Sequence, residues 1–298
     1  MTTNISRRDF VKAGLAAGLA PILSGGCGNP ASTAIAQEQS PRRWALLSDL
    51  HISEDAGDNY RGCYPTRNLQ AIVPQVVSLA PDAVAITGDL ARLTGKTGDY
   101  QNLKKILAPL SENTPVFFSL GNHDHRERFL QTFDNLPGKP QPVADKVVVE
   151  AETSPVRVLM LDSLLFTDKA PGFLGQKQRQ WLADYLRRAD TAPTILCLHH
   201  MYGEGKINLM DMPWLYEIIV PMTKVKAVVY GHSHAYGFSE YSGIHLINLP
   251  ATGYNFNDQD PVGWVDARWT ATGGEFTLHA IAGTRDKDGT VTKLAWRS

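Results

Sequence analysis

Residues 44–51 have the sequence WALLSDLH, an apolar run that predicts a buried strand and is followed at once by Asp49 and His51. Four later segments repeat this arrangement. Their strands are predicted at 83–86, 116–120, 195–198 and 225–230, and the side chains at their ends belong to Gly88-Asp89, Gly121-Asn122-His123-Asp124, His199 and Gly231-His232-Ser233-His234. Because open α/β sheets bind ligands at the carboxyl ends of their strands, we expect these side chains to lie close together.

The residue types in this series are those that bind metal ions. Five of the nine histidines belong to it, together with carboxylates and an amide. Taken singly, each has an ordinary explanation as a cap, a loop residue on the surface or a hydrogen-bonded core histidine. Their order along the chain, each at a strand end, favours a centre for two metal ions.

The ordered motifs Asp49-x-His51, Gly88-Asp89, Gly121-Asn122-His123-Asp124, His199 and Gly231-His232-x-His234 resemble those of the calcineurin-like metallophosphoesterase superfamily. Within it, the chain looks most like the bacterial class III cyclic-nucleotide and glycerophosphodiester phosphodiesterases. The resemblance implies an α/β fold, a four-layer α/β/β/α sandwich. The purple acid phosphatases place a tyrosine three residues after the bridging aspartate, where this chain has Arg92, so the tyrosinate-to-iron chromophore is not expected.

The resemblance also implies a role for each residue of the series. One metal ion would be bound by Asp49, His51 and His234, the other by Asn122, His199 and His232, and the Asp89 carboxylate would bridge the two. His123 would face the phosphate without binding metal, and Asp124 would orient its imidazole. The cofactors would be two divalent or mixed-valence metal ions, with Fe, Mn, Zn and Co all compatible with these ligands.

The predicted function is hydrolysis of a small phosphate ester, with diesters favoured, by attack of a metal-bridging hydroxide. Two carboxylates and that hydroxide give a charge of about -3 against +4 from two divalent ions, and the excess attracts an anionic substrate. Two alternatives stay open, namely a phosphomonoesterase or nucleotidase using the same site, and a non-catalytic metal-binding module. The chain has 298 residues and a formal charge of -1, so its charge gives no reason to expect duplex nucleic acid as a partner.

The N-terminal segment resembles a twin-arginine export signal. Residues 6–12 have the sequence SRRDFVK, and the apolar stretch after them, 13–23, is too short to span a bilayer. With cleavage after Ala34-Ile35-Ala36, the chain divides into a signal at 1–36, a linker at 37–43 and a phosphoesterase domain at 44–298. We therefore expect an exported protein, periplasmic or extracellular, delivered by the twin-arginine machinery and without a transmembrane segment after cleavage. The alternative is a lipoprotein acylated at Cys27.

Further elements follow from hydrophobic periodicity. Helices are predicted at 66–79, 100–110, 174–188 and 213–220, and strands at 146–150, 156–161, 244–249, 263–269 and 276–281, with a terminal hairpin at Asp288-Gly289. Strand alternation predicts that His200 faces away from His199. The aromatic residues that flank the motif-bearing loops either line a substrate cleft or pack those loops; they are Tyr60, Tyr64, Tyr202, Trp214 and Phe256.

Overall fold

The computed structural model describes residues 40–200, 205 and 207–298. The strands are β1 (Arg42–Leu47), β2 (Ala83–Ile86), β3 (Val116–Phe118), β4 (Lys139–Pro140), β5 (Val149–Thr153), β6 (Val156–Met160), β7 (Thr194–Cys197), β8 (Val225–Tyr230), β9 (Gly237–Tyr241), β10 (Ile244–Asn248), β11 (Pro261–Trp269), β12 (Gly273–Gly283) and β13 (Val291–Ala295). The helices are α1 (Pro65–Leu79), α2 (Thr97–Ser111), α3 (Arg126–Thr132), α4 (Gln176–Arg188) and α5 (Met212–Ile219).

These strands form two mixed sheets. The first has the order β13-β12-β11-β1-β2-β3 and the second the order β4-β5-β6-β7-β8-β10-β9. Strands β1, β2 and β3 are parallel to one another, as are β6, β7, β8 and β10. The motif-bearing strands of both sheets are thus parallel, and in each sheet their carboxyl ends lie at one edge.

Three hydrophobic cores separate four layers. Side chains of β1 alternate between two of them: Trp44 and Leu46 lie in the core between the sheets, whereas Ala45 and Leu47 face α1, α2 and α3. A third core packs α4 and α5 on the outer face of the second sheet. The predicted α/β/β/α sandwich is confirmed.

Most of the predicted elements are present, with shifted ends. Strand β1 begins at Arg42, so the linker predicted at 37–43 overlaps it. The short helix α3 was not predicted, because of its seven residues only Phe129 is buried and so no apolar stripe marks it. Strand β9 was also missed, because its side chains are exposed or half-buried. The predicted signal and Cys27 lie outside the described residues.

None of the helices in the described part of the chain has the length and apolar character needed to cross a bilayer. Cys63 and Cys197 are both free thiols.

Candidate metal centre

The motif residues follow the strand ends in an unusual backbone conformation. Asp49, His51, Asp89, His232 and His234 all have positive φ angles, between 49° and 70°. Side chains other than glycine rarely adopt this left-handed region, at a cost of about 1 to 3 kcal/mol each, and such residues cluster at functional sites. Because the chain turns at these five residues, their side chains remain at the carboxyl ends of the strands.

Two glycines allow the strand ends to approach each other. Gly88 has a φ of 110°, and a Cβ there would lie 2.7 Å from the Gly121 nitrogen and 2.8 Å from the His199 Cβ. A Cβ on Gly231 would overlap Ser48 Oγ and Asp49 Oδ2. Glycine at these positions leaves room for the Gly121 backbone and the His199 side chain at Gly88, and for the Ser48 and Asp49 side chains at Gly231.

The residues predicted for the first metal ion form one compact group. His234 Nε2 lies 3.3 Å from Asp49 Oδ1 and 3.1 Å from His51 Nε2. All three side chains are almost fully buried. Their ligand atoms lie within 4.8 Å of one another, which is close enough for a single cation to contact all three.

Asp89 lies between this group and the side chains predicted for the second metal ion. Its Oδ2 is 3.8 Å from His51 Nε2 on one side and 3.3 Å from His199 Nε2 on the other. His232 Nδ1 in turn lies 3.2 Å from His199 Nε2. The carboxylate thus contacts histidines of both predicted sites, as a bridging ligand would. Below, "ligand set" denotes Asp49, His51, Asp89, Asn122, His199, His232 and His234.

Backbone carbonyls fix the orientation of three imidazoles. The Nδ1 atoms of His199 and His234 lie 3.0 Å from the Thr87 carbonyl and 2.6 Å from the Tyr254 carbonyl, and that of His51 lies 3.4 Å from the Arg92 carbonyl. A carbonyl can only accept, so each Nδ1 carries a proton and Nε2 is the nitrogen that faces the cluster. Protein metal sites commonly orient their histidines in this way.

The two carboxylates are ionised in spite of their burial. Desolvation opposes their charge, but the imidazoles of His234 and His199 outweigh it for Asp49, and that of His199 outweighs it for Asp89, so both pKa values lie below the usual range. The pKa of His199 is raised to about 9, because Asp89 and Asp49 overcome the effect of burial. A metal ion would replace that proton.

The other two imidazoles with shifted pKa values in the ligand set are neutral near pH 7. Burial, reinforced by neighbouring imidazoles, lowers the pKa of His51 to about 3 and that of His232 to about 4. A neutral imidazole is the form that binds a metal ion.

Unsatisfied polar atoms indicate that the ligand set fits metal ions. Asn122 Oδ1 and His232 Nε2 are buried and have no hydrogen-bond partner among the described residues. A buried acceptor without a partner is costly, about 1 to 3 kcal/mol. Asn122 adjoins His123, whose backbone nitrogen donates to Asp89 at 2.8 Å, and an oxygen without a partner suits a cation, so the donor set is compatible with Mn, Fe, Zn or Co.

His123 lies at the opening of the cluster. Its imidazole Nδ1 donates to the Leu93 carbonyl at 2.8 Å, and its Nε2 lies 4.0 Å from Asp89 Oδ2. The side chain is 21% exposed, whereas the side chains of Asp49, Asp89 and His199 are at most 2% exposed. This placement agrees with a residue that reaches an incoming ligand.

The predicted contact between Asp124 and His123 is wrong. The Asp124 carboxylate is fully buried and accepts hydrogen bonds from the backbone nitrogens of Gly121 at 2.9 Å, Leu90 at 3.1 Å and Ala91 at 3.1 Å, and from the Tyr100 hydroxyl at 3.2 Å. Asp124 therefore joins the turns after β2 and β3. The carboxylate nearest to His123 Nδ1 is that of Asp168, at 3.9 Å.

The predicted orientation of His200 is also wrong. Strand β7 ends at Cys197, so side-chain alternation no longer applies at position 200. The His200 ring is buried, with its centroid 5.0 Å from that of His199 and 4.9 Å from that of His232. Its Nδ1 lies 2.8 Å from Ser163 Oγ.

Two supporting features had no clear sequence signal. Arg126 forms a two-point ion pair with the fully buried Asp162, at 2.6 and 2.9 Å, and so anchors the start of α3 beside the His123 turn. The Tyr254 ring stacks on His51, with centroids 4.6 Å apart. Both contacts join residues far apart in sequence, which periodicity cannot pair.

Known proteins are similar in sequence to most of this chain. The family model for calcineurin-like phosphoesterases matches residues 42–236. A probable cyclic nucleotide phosphodiesterase of Synechococcus sp. is 30% identical over 228 residues, which are 74% of this chain and 84% of that protein. The 3',5'-cyclic adenosine monophosphate phosphodiesterase CpdA of Haemophilus influenzae is 29% identical over 222 residues, 70% of this chain and 76% of that protein.

Solved structures share the fold. A dimetal phosphatase from Danio rerio superposes with a TM-score of 0.69 at 15% identity, covering 87% of this chain and 100% of the other. A purple acid phosphatase from yellow lupin superposes with a TM-score of 0.62 at 16% identity, covering 87% of this chain and 54% of the other.

The contacts of Asp124 predict a structural role. Asp124→Ala leaves three buried N–H groups and the Tyr100 hydroxyl without their acceptor, and we expect the free energy of unfolding to fall by more than about 3 kcal/mol. Asp124→Asn retains one acceptor oxygen and should lose less. Urea unfolding measures both variants, and an Asp124→Ala protein as stable as the wild type would contradict this role.

Proposed function

The chain belongs to the calcineurin-like phosphoesterase family of metal-dependent hydrolases, and on that premise we propose that it is an exported phosphodiesterase that uses two metal ions bound by the ligand set. The observation that carries this proposal is the position of Asp89. Its carboxylate lies within 3.8 Å of His51 and 3.3 Å of His199, which belong to opposite halves of the set. Both distances are to Oδ2, and since a carboxylate oxygen has two lone pairs, this atom could contact a cation on each side while Oδ1 accepts from the His123 backbone nitrogen at 2.8 Å.

The charge of the ligand set favours an anionic substrate. Asp49 and Asp89 are its only carboxylates, and Asn122 stands where a further aspartate would have added a negative charge. Two divalent ions would therefore leave this buried centre with a net positive charge. When bound, such ions lower the pKa of water and neutralise the phosphoryl oxygens.

His123 is the residue of this chain placed to act on the leaving group. Its Nδ1 proton is held by the Leu93 carbonyl at 2.8 Å, so Nε2 can accept a proton or, in the imidazolium form, donate one. Its partial exposure lets it reach a substrate at the opening of the cluster. We assign it the stabilisation of charge on the phosphoryl group and protonation of the departing oxygen.

The diester preference is supported by the relatives. The proteins from Synechococcus and Haemophilus influenzae both carry names of cyclic nucleotide phosphodiesterases, and the alignments cover 84% and 76% of their lengths. A cyclic nucleotide is an internal phosphodiester with a single negative charge, which suits a centre of modest positive charge. We therefore propose phosphodiesters, cyclic nucleotides included, as the substrate class.

Metal dependence and ester preference can be tested together. Protein treated with chelator should lose hydrolysis of bis(p-nitrophenyl) phosphate and regain it with Mn²⁺, because the nucleophile is formed only when the cations are present. We expect a higher kcat/KM for this diester than for p-nitrophenyl phosphate. Metal-replete protein that hydrolyses neither ester would contradict the proposed activity, and a preference for the monoester would contradict the diester assignment.

The role of His123 predicts a separation of catalysis from metal binding. His123→Ala should lower kcat by about 100-fold or more, whereas elemental analysis should still find two metal ions per chain. His199→Ala is the matched comparison, in which we expect metal content itself to fall. A His123→Ala variant with wild-type turnover, or one that loses its metal, would overturn the assigned role.

The export proposal rests on the paired arginines Arg7 and Arg8 before the apolar stretch at 13–23. Replacing both with lysine keeps the charge but removes the arginine pair. We expect the double variant to stay in the cytoplasm at its full length, whereas the wild type is found outside as a shorter form. Export of the double variant at the wild-type level, shown by cell fractionation and immunoblotting, would contradict twin-arginine transport.

A further inference from the structure

An aromatic wall lines one side of the candidate metal centre. Tyr254 stacks on His51 with ring centroids 4.6 Å apart and an interplanar angle of 28°. Phe256 stacks on His234 at 4.1 Å and 21°. The wall is completed by Tyr60, whose ring centroid lies 4.7 Å from that of Tyr254.

The three rings differ in exposure. Tyr254 is only 4% exposed, so contact with its neighbours accounts for it. Tyr60 and Phe256 are 42% and 52% exposed, and each leaves ring surface open to solvent beside the ligand set. Packing of the loops alone explains the buried ring but not the two open ones, because exposed aromatic surface gains nothing from folding.

The guanidinium of Arg92 fills part of the space against the wall. Its Cζ lies 5.7 Å from the Tyr60 centroid and 5.4 Å from that of Tyr254, within range of a cation–π contact. Arg92 Nε also pairs with Asp58 at 2.6 Å. Arg92 is thus committed to holding the wall, which makes it less suited to bind a substrate phosphate.

The loops that carry the open rings are held by contacts within and between them. Tyr60 and Cys63 exchange two backbone hydrogen bonds, at 3.0 and 2.9 Å, that close a tight turn. Arg61 of this turn pairs at 2.7 Å with Asp258, two residues after Phe256. An exposed ion pair adds little stability, but this one connects the loop that carries Tyr60 to the loop that carries Phe256.

We propose that Tyr60 and Phe256 bind the planar base of a nucleotide phosphodiester whose phosphate lies at the ligand set. The inference rests on the proposed function, which places the phosphate. Phe256 stacks on His234 with one face, so a base on its open face would be separated from the ligand set by this one ring, and the phosphate of the same nucleotide could still reach the ligand set. Every base has a π-face, so stacking of this kind tolerates purines and pyrimidines alike.

A pair of ligands isolates the contribution of the base. Adenosine 5'-monophosphate and ribose 5-phosphate share the sugar and the phosphate, and calorimetry on the Mn²⁺-loaded protein gives a Kd for each. We expect the wild type to bind the adenosine ligand about tenfold more tightly, a typical gain for a base stacked on an aromatic side chain. A ratio near one, or binding of neither ligand, would overturn the proposal.

Variants then show how much each ring contributes to the ratio of the two Kd values. Tyr60→Ala and Phe256→Ala should each reduce it at least about threefold, whereas Phe256→Trp should preserve it. Tyr241→Ala is the control, since Tyr241 is 40% exposed on β9 and its ring packs on Tyr216. If Phe256→Ala weakens both ligands equally and lowers the metal content, the ring only supports His234 and the proposal is wrong.

Hydrolysis is measured separately on 3',5'-cyclic adenosine monophosphate and on glycerophosphoethanolamine, a diester without a base. Each of the two ring variants should raise KM for the cyclic nucleotide at least about threefold and leave KM for the second diester unchanged. A wild type that hydrolyses no diester contradicts the proposed function, whereas equal effects on both diesters contradict only the aromatic subsite.

Discussion

The structure depends on bringing the carboxyl ends of strands from two different sheets to one place. The core between the sheets holds them face to face, and polar contacts cross between them at that edge: His199 Nδ1 lies 3.0 Å from the Thr87 carbonyl, and Ser119 donates to the Cys197 carbonyl at 3.2 Å. Without this alignment Asp89, which follows a strand of the first sheet, could not lie 3.3 Å from His199, which follows a strand of the second.

This arrangement is costly in the absence of cations. Five residues of the ligand set adopt left-handed backbone conformations. The carboxylates of Asp49 and Asp89 are buried, with at most 2% of each side chain exposed. Neighbouring imidazoles and backbone N–H groups offset part of that cost. Two bound cations would offset more, because they supply the positive charge that the buried carboxylates and the unpaired Asn122 oxygen lack. On the proposed function, catalysis and stability would depend on the same cluster.

The sequence predicted the strands and helices whose side chains are buried in a regular pattern. The strands before Asp49, Asp89, His199 and His232 are apolar runs buried on both faces, so composition alone marks them. Prediction failed where the chain leaves regular structure: alternation stops after Cys197, which misplaced His200, and the turn of Asp124 uses its carboxylate for backbone N–H groups. Tyr254 was missed because its stacking on His51 depends on tertiary contact between segments about 200 residues apart.

The central claim, that the dispersed ligand residues assemble one centre for two cations, is tested most directly by anomalous X-ray scattering from crystals of the Mn²⁺-loaded protein. We expect two anomalous peaks roughly 3.5 to 4 Å apart, both in contact with the Asp89 carboxylate, one beside His51 and His234 and the other beside His199. A single peak, or two peaks of which only one contacts Asp89, would contradict this claim.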